Sequence, residues 1–332
     1  MRRILNAYKV LHNGFVGSDG GNMTVFDAHC DTISKILDGN KMLEKNDCML
    51  DLERMSRYDG YVQVFAAFVD KRSDACPPLT RALSLIDRLY TEAERNEKRI
   101  SVCTSYAQIR LARRKGKVAA LISVEGGEAI EGRLENLRSL YRLGVRMMTL
   151  TWNYANELCD GIGEPRGGGL TEFGCEVVDE MNRLGMIVDV SHLSEKGFWD
   201  VIECSSAPIC ASHSDAKAIC GHRRNLTDEQ IRALIDCGGC IGVNFYPEFV
   251  AGKECGITEV IGHIEHILEL GGEGCVGLGS DFDGIDSAPL GLGGVEGIHT
   301  LIEELLRIGY SERLVKRIAA GNFLRLVKTV IG

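Results

Sequence analysis

Residues 118–125, VAALISVE, form an apolar run with a single serine that stops at a carboxylate and is followed by Gly126-Gly127. A run this continuous suits a strand covered on both faces, as in a parallel sheet. Seven similar runs surround it: Val25–Asp31, Tyr61–Val69, Val145–Thr151, Met186–Ser191, Pro208–His213, Cys240–Tyr246 and Val276–Asp281. Amphipathic segments lie between them. Residues 80–98 place Leu83, Ile86 and Leu89 at helical spacing. Thr171, Ser194 and Thr227 stand where each can cap a helix, and Thr227-Asp-Glu-Gln230 fits a capping box. Helical patterns over residues 256–270, 295–308 and 311–330 complete the set. Eight strands alternating with helices predict an α/β fold, a parallel (β/α)8 TIM-type barrel. No G-x-G-x-x-G follows the first run, which weighs against a dinucleotide-binding open sheet.

A length of 332 residues is ordinary for one such barrel. Residues 23–332 are expected to form a single catalytic domain, with residues 1–22 as a loosely held extension. Lys plus Arg number 38 and Asp plus Glu 47, a formal charge of −9, which argues against a binder of nucleic acid or anionic membrane. No stretch approaches the ~18 consecutive apolar residues of a membrane span. The N-terminus lacks the apolar core of a secretory signal. The 13 cysteines are odd in number and sit mostly in apolar contexts, which reads as free thiols in a reducing cytoplasm. Cys237-Gly-Gly-Cys240 reads as a helix stop before a strand rather than a redox pair or a zinc half-site.

In a barrel of this kind the active site gathers at the C-terminal ends of the strands. The first run ends Asp27-Ala-His29-Cys-Asp31, and the third ends at Glu125. The fifth ends Asp189-Val-Ser191-His192, the sixth Ala211-Ser212-His213-Ser-Asp215, and the eighth Ser280-Asp281-Phe-Asp283. His29 and Asp31 are two residues apart, so both leave the same face of a strand. Imidazole with carboxylate suits a divalent metal of the zinc type. The full inventory exceeds one tetrahedral zinc and suits two metals sharing a carboxylate. Each residue alone is more often structural. Together, buried and without a cation, they would carry a heavy desolvation cost.

Arg223-Arg224 follows the sixth run, and one arginine of the pair suits an anion clamp. The glycine-rich stretch Asn153–Gly169 suits a mobile lid or a pocket wall. His263 and His266 read as helix-surface residues, and His222 as a residue that shapes its loop.

At these residues the chain resembles the renal-type, or membrane, dipeptidase family of zinc peptidases, which are amidohydrolase-like metal-dependent barrels. The matching stretches are FDAHCDT (26–32), VEGGE (124–128), LTEFGCEVVDEMNRLGMIVDVSH (170–192), ASHSDA (211–216), HRRNLTD (222–228), GLGSDFDGI (277–285) and GNFLRL (321–326). They span nearly the whole chain. The resemblance implies a cytoplasmic, bacterial-type dipeptidase that hydrolyses dipeptides, including ones with a C-terminal D-residue, by metal-activated water. It implies that His29 and Asp31 bind one zinc, that Glu125 bridges two, and that His192 and His213 bind the other. Asp281 would ligate metal and handle protons, and Arg224 would hold the substrate carboxylate. Many animal members carry a histidine just after the fourth strand, where this chain has Trp152. Asn153 beside it is a candidate substitute donor. A homodimer is implied by the same analogy. Two alternatives stay open. One is another dinuclear amidohydrolase acting on a cyclic amide, lactone or β-lactam. The other is a non-catalytic metal-binding barrel.

Overall fold

The computed structural model describes residues 23–332; the expected extension, residues 1–22, lies outside the described residues. The strands are β1 (Thr24–Cys30), β2 (Gly60–Phe68), β3 (Ile100–Val102), β4 (Val118–Glu125), β5 (Val145–Thr149), β6 (Ile187–Asp189), β7 (Cys210–Ala211), β8 (Cys240–Val243) and β9 (Val276–Leu278). All pairings between them are parallel. Eight close a ring, because β2 pairs directly with β4 and β9 returns to β1. This is the (β/α)8 barrel.

β3 has no counterpart among the eight apolar runs. It pairs with Val118–Ala120 of β4, while β5 joins β4 only from Ile122 onward. β3 therefore covers the part of the β4 edge that β5 leaves open. Three residues are too few to show a strand period. Several runs also stop short as strands. The sixth shrinks to Cys210–Ala211, and the eighth ends at Leu278. The residues shed are those that carry the chemistry. His192 and Asp281 adopt φ of +70° and +61°, a left-handed backbone that cannot continue a strand.

The helix signals hold. Thr171, Ser194 and Thr227 accept from the backbone N–H three residues on, and Thr227 and Gln230 complete the capping box. Cys237 caps the helix Asp228–Asp236, Gly238 turns the chain at φ +71°, and β8 begins at Cys240. The Cys-Gly-Gly-Cys stretch is thus a helix stop, and all 13 cysteines are free. The pattern over 311–330 is interrupted: Glu312–Lys316 passes through a wide π turn, Arg317–Gly321, into Asn322–Val330.

One apolar core lies between barrel and helices. A second fills the lower barrel, where Phe26, Val64, Leu121 and Met147 meet Phe323 and Leu326 of the last helix. Phe26 and Phe323 stack with centroids 5.2 Å apart. Among the described residues the lower end of the barrel is therefore filled by the last helix. Among the described residues no helix is long and apolar enough to cross a membrane.

His263 corrects the sequence reading. It is fully buried. Its Nδ1 accepts from Ala216 N (3.1 Å) and its Nε2 donates to Val250 O (2.8 Å). Its helix, Ile257–Glu269, turns this face inward onto two loops, so the imidazole satisfies backbone groups that water cannot reach. His266 is more exposed and pairs with Asp228 at 2.7 Å.

Candidate metal centre

Six residues expected from the strand ends converge at the barrel mouth. His29 and Asp31 come from the end of β1, Glu125 from the end of β4, and His192, His213 and Asp281 from the turns after β6, β7 and β9. All are buried. His29 Nε2 lies 3.2 Å from Asp31 Oδ2, 3.3 Å from Glu125 Oε2 and 3.9 Å from Asp281 Oδ1. Glu125 Oε1 lies 3.1 Å from His192 Nε2 and 3.7 Å from His213 Nε2. The two oxygens of Glu125 thus face two different donor sets. His29–Asp31–Glu125 and Glu125–His192–His213 each bring their ligand atoms within 4.8 Å of one another, as does His29–His213–Asp281.

Electrostatics divides the sets. Burial opposes the His29 cation, but Glu125 and Asp31 outweigh it and hold the pKa well above the usual 6.5. Burial lifts Asp281 to about 7 and also raises Asp31, with Glu125 adding to it. Burial and the nearby Arg224 lower His192 to about 4. Burial and His29 push His213 well below its usual value. Burial also opposes the Glu125 carboxylate, yet His29 and His192 hold its pKa far below the ordinary range.

The donor set fits metal ions. His192 Nδ1 donates to Asn153 Oδ1 (2.9 Å), and His213 Nδ1 donates to Ser212 Oγ (2.7 Å). With the proton of each neutral ring on Nδ1, both Nε2 atoms carry lone pairs. Those atoms face each other at 2.8 Å, with Glu125 Oε1 beside them. Lone pairs so placed repel unless a cation lies between them. On the other side Asp31 Oδ1 and His29 Nδ1 are buried with no hydrogen-bond partner among the described residues. Three imidazoles with carboxylates are the donors expected of zinc and its neighbours.

The mouth opens into a cavity of about 560 Å³ lined by Glu125, Trp152, His192, Arg224, Phe249 and Asp281, among others. Arg224 is 6 % exposed. Its Nη2 donates to His213 O (3.2 Å), and its Nε has no partner among the described residues. Burial lowers its pKa despite Asp281 and Glu125 nearby. Its guanidinium stands 5.3 Å over the Phe249 ring, on which His222 stacks at 4.6 Å. His222 Nδ1 also accepts from Arg224 N (3.2 Å), so it does shape that loop. Trp152 packs edge-on against Phe68 and Tyr154.

The stretch Asn153–Gly169 forms a tied wall. Asp160 accepts from Arg166 and from Gly168 N, and its carbonyl receives Ser194 N. Asn153, expected as a donor to substrate, holds His192 through its Oδ1.

Three supporting residues carry no sequence assignment. Asn244, just past β8, donates from Nδ2 to Asp281 Oδ2 (2.9 Å). Asp189 and Ser212 form a hydrogen-bonded pair behind His213. The available signal was a buried polar residue at the end of an apolar run, which says nothing about its partner.

Residues 21–331 match the family model described as membrane dipeptidase, peptidase family M19. A Klebsiella pneumoniae protein, named as an uncharacterized protein in the pqqA 5' region, is 37% identical over 243 residues, 70% of this chain and 89% of its own. A metallo peptidase from Rhodobacter sphaeroides, crystallised with a phosphinate mimic of the dipeptide L-Ala-D-Ala, is 30% identical with a TM-score of 0.86. The match covers 93% of this chain and 99% of that one. The metallo peptidase called dipeptidase AC, of family M19, is 31% identical with a TM-score of 0.87, over 94% of this chain and 100% of that one.

Proposed function

The chain belongs to the membrane dipeptidase family, peptidase family M19, and we propose that it is a two-zinc dipeptidase that grips its substrate by the C-terminal carboxylate. The observation that carries this reading is the buried Arg224 guanidinium, whose Nε has no partner among the described residues, in the same cavity as the Glu125-centred donor sets. His29, Asp31 and Asp281 would hold one zinc and His192 and His213 the other, with Glu125 shared. When bound, the ions supply Lewis acidity that polarises a peptide carbonyl and makes water a competent nucleophile near neutral pH.

The protein's own groups do the rest. A substrate carboxylate would supply Arg224 with a directly bonded counterion, through two parallel hydrogen bonds. Only a peptide whose free terminus lies next to the scissile bond can reach both. Asn244 pins Asp281 Oδ2, so Oδ1 faces the donor sets. With Oδ1 so placed, Asp281 can take the proton of the attacking water and return it to the leaving amine nitrogen. Trp152 and Phe68 form an apolar wall that keeps bulk water from the bound peptide. The mimic of L-Ala-D-Ala bound by the Rhodobacter sphaeroides relative extends the expected substrates to peptides ending in a D-residue.

The test is hydrolysis of L-L and L-D dipeptides, and of C-terminal amides, by protein stripped of metal and reloaded with zinc. Zinc-dependent cleavage of free dipeptides but not of amides is expected. Two bound zinc ions with no dipeptide cleaved would overturn the substrate class and favour cyclic amides or lactones.

A further inference from the structure

Asp189 is fully buried on β6, and its two oxygens take four hydrogen bonds. Oδ1 accepts from two backbone groups, Ser212 N (2.8 Å) and Ser191 N (3.1 Å). Oδ2 accepts from two hydroxyls, Ser212 Oγ (2.5 Å) and Thr149 Oγ1 (2.6 Å). A serine hydroxyl has one proton, and here Asp189 takes it. Ser212 Oγ can then only accept from His213 Nδ1, 2.7 Å away. The backbone of Ser212 cannot drift to relax this. A Cβ on Gly242 of β8 would stand 2.0 Å, and one on Gly279, just past β9, 1.8 Å, from the Ser212 carbonyl oxygen, so the backbone packs closely against it on two sides.

We propose that Asp189 and Ser212 are positioning residues that lock His213 in its Nδ1–H tautomer and so keep Nε2 free as a metal ligand. The proposal rests on the reading of His213 as a ligand. Carboxylates behind metal-binding histidines usually act directly. Here a hydroxyl stands between, and its proton direction carries the information.

That direction makes Asp189→Asn a sharper probe than a deletion. The two backbone N–H groups at Oδ1 require the amide's carbonyl there, which places its NH2 against Ser212 Oγ and Thr149 Oγ1. The amide now donates to Ser212, and the Ser212 proton, which has lost its buried acceptor, turns to His213 Nδ1. The imidazole proton moves to Nε2 and points into the metal site. Ser212→Ala only releases the ring, leaving either tautomer available.

The first readout is the imidazole nitrogen NMR signature of metal-free protein labelled in histidine. The second is zinc stoichiometry and affinity by chelator competition. Wild type should show His213 as Nδ1–H. Asp189→Asn should show Nε2–H and lose one of the two zinc equivalents. Ser212→Ala should weaken one zinc by about 10–100-fold, the range for lost outer-shell partners. The double variant should bind zinc better than Asp189→Asn alone, since removing the hydroxyl removes the misdirected proton. Asp27→Asn is a control for the tautomer alone. Asp27 accepts from Ser280 N (2.8 Å) and Oγ (2.6 Å), on the Asp281 side of the mouth, and its loss should leave the His213 tautomer unchanged. If Asp189→Asn lowers Tm but leaves the His213 tautomer and both zinc affinities as in wild type, the proposal is overturned. Should Asp189→Asn not fold, Ser212→Ala with wild-type zinc affinity and tautomer overturns it equally. The tautomer is read without metal, so failure of the dipeptidase reading is distinguishable from failure of this one.

Discussion

On β1, Asp27 accepts from the backbone and hydroxyl of Ser280 in the turn after β9; on β6, Asp189 does the same with Ser212 after β7. The strand junctions match, but the residue after each serine differs. Ser212 precedes His213, held through its Nδ1. Ser280 precedes Asp281, held by Asn244. One half of the mouth therefore presents neutral imidazole nitrogens, kept uncharged by burial and by neighbouring cations that include Arg224. The other presents carboxylates around His29, whose Nδ1 has no partner among the described residues. Glu125 is the member common to both. One backbone device can thus deliver two kinds of donor, with the choice made by the side chain next to the serine.

The strongest challenge to this division is Asp281→Asn. If the carboxylate half handles the proton, kcat should fall about 10²–10⁴-fold, the range for losing a general acid–base group. Turnover at matched zinc occupancy is the measurement, and an unchanged kcat would remove Asp281 from the chemistry. Arg224→Ala tests the imidazole half as the carboxylate side. Losing hydrogen bonds to a charged group, worth about 1.5–3 kcal/mol, should raise KM for free dipeptides roughly 10–100-fold. The variant should also lose its discrimination between free dipeptides and C-terminal amides. Retained discrimination would place the clamp elsewhere.

Metal removal sharpens the contrast. The imidazole half has no carboxylate besides the shared Glu125, so its ion is held by less charge and should leave first under chelator. Release in two steps, the first perturbing His192 and His213 signals, is expected. Simultaneous loss would make the halves one unit.

Acidity gives a further check on the metal-free protein. Asp281, with its folded pKa about 7 against 3.8, stabilises at low pH and loses this as pH rises through 7. His29, raised above 6.5, works in the same sense. His192, lowered to about 4, and His213, lowered further, contribute stability above 6.5 that is lost as pH falls. The halves oppose each other below pH 6.5, and only the carboxylate half still titrates above it. The Tm of metal-free protein should therefore drop as pH rises from 6.5 past 7, and zinc should suppress the drop. A flat profile would show that the halves do not carry these opposite charges. The smallest effect on activity belongs to His263→Phe, which leaves Ala216 N and Val250 O buried without partners. It should cost about 1–3 kcal/mol of stability per orphaned group and leave kcat near wild type.

Much of this is legible in the chain. VAALISVE and its seven companions mark the barrel strands, since a parallel strand buried on both faces must be apolar throughout. His29, Asp31, Glu125, His192, His213 and Asp281 stand out because barrel chemistry collects at strand ends, and the same rule brings Arg224 into view. The caps at Thr171, Ser194 and Thr227 are local and readable for that reason.

What the sequence could not decide depends on partners far away along the chain. β3 exists because β5 starts late on β4, a matter of register. His263 is buried because two loops, at Ala216 and Val250, descend on its helix. Asn153 holds His192 through its Oδ1 because the wall it belongs to is tied to Asp160 and Ser194. The direction of each proton at the mouth was equally hidden. It depends on which donors fill the oxygens of Asp189 and on which oxygen of Asp281 Asn244 takes. Residue type sets which atoms can donate or accept; only packing settles which of them meet.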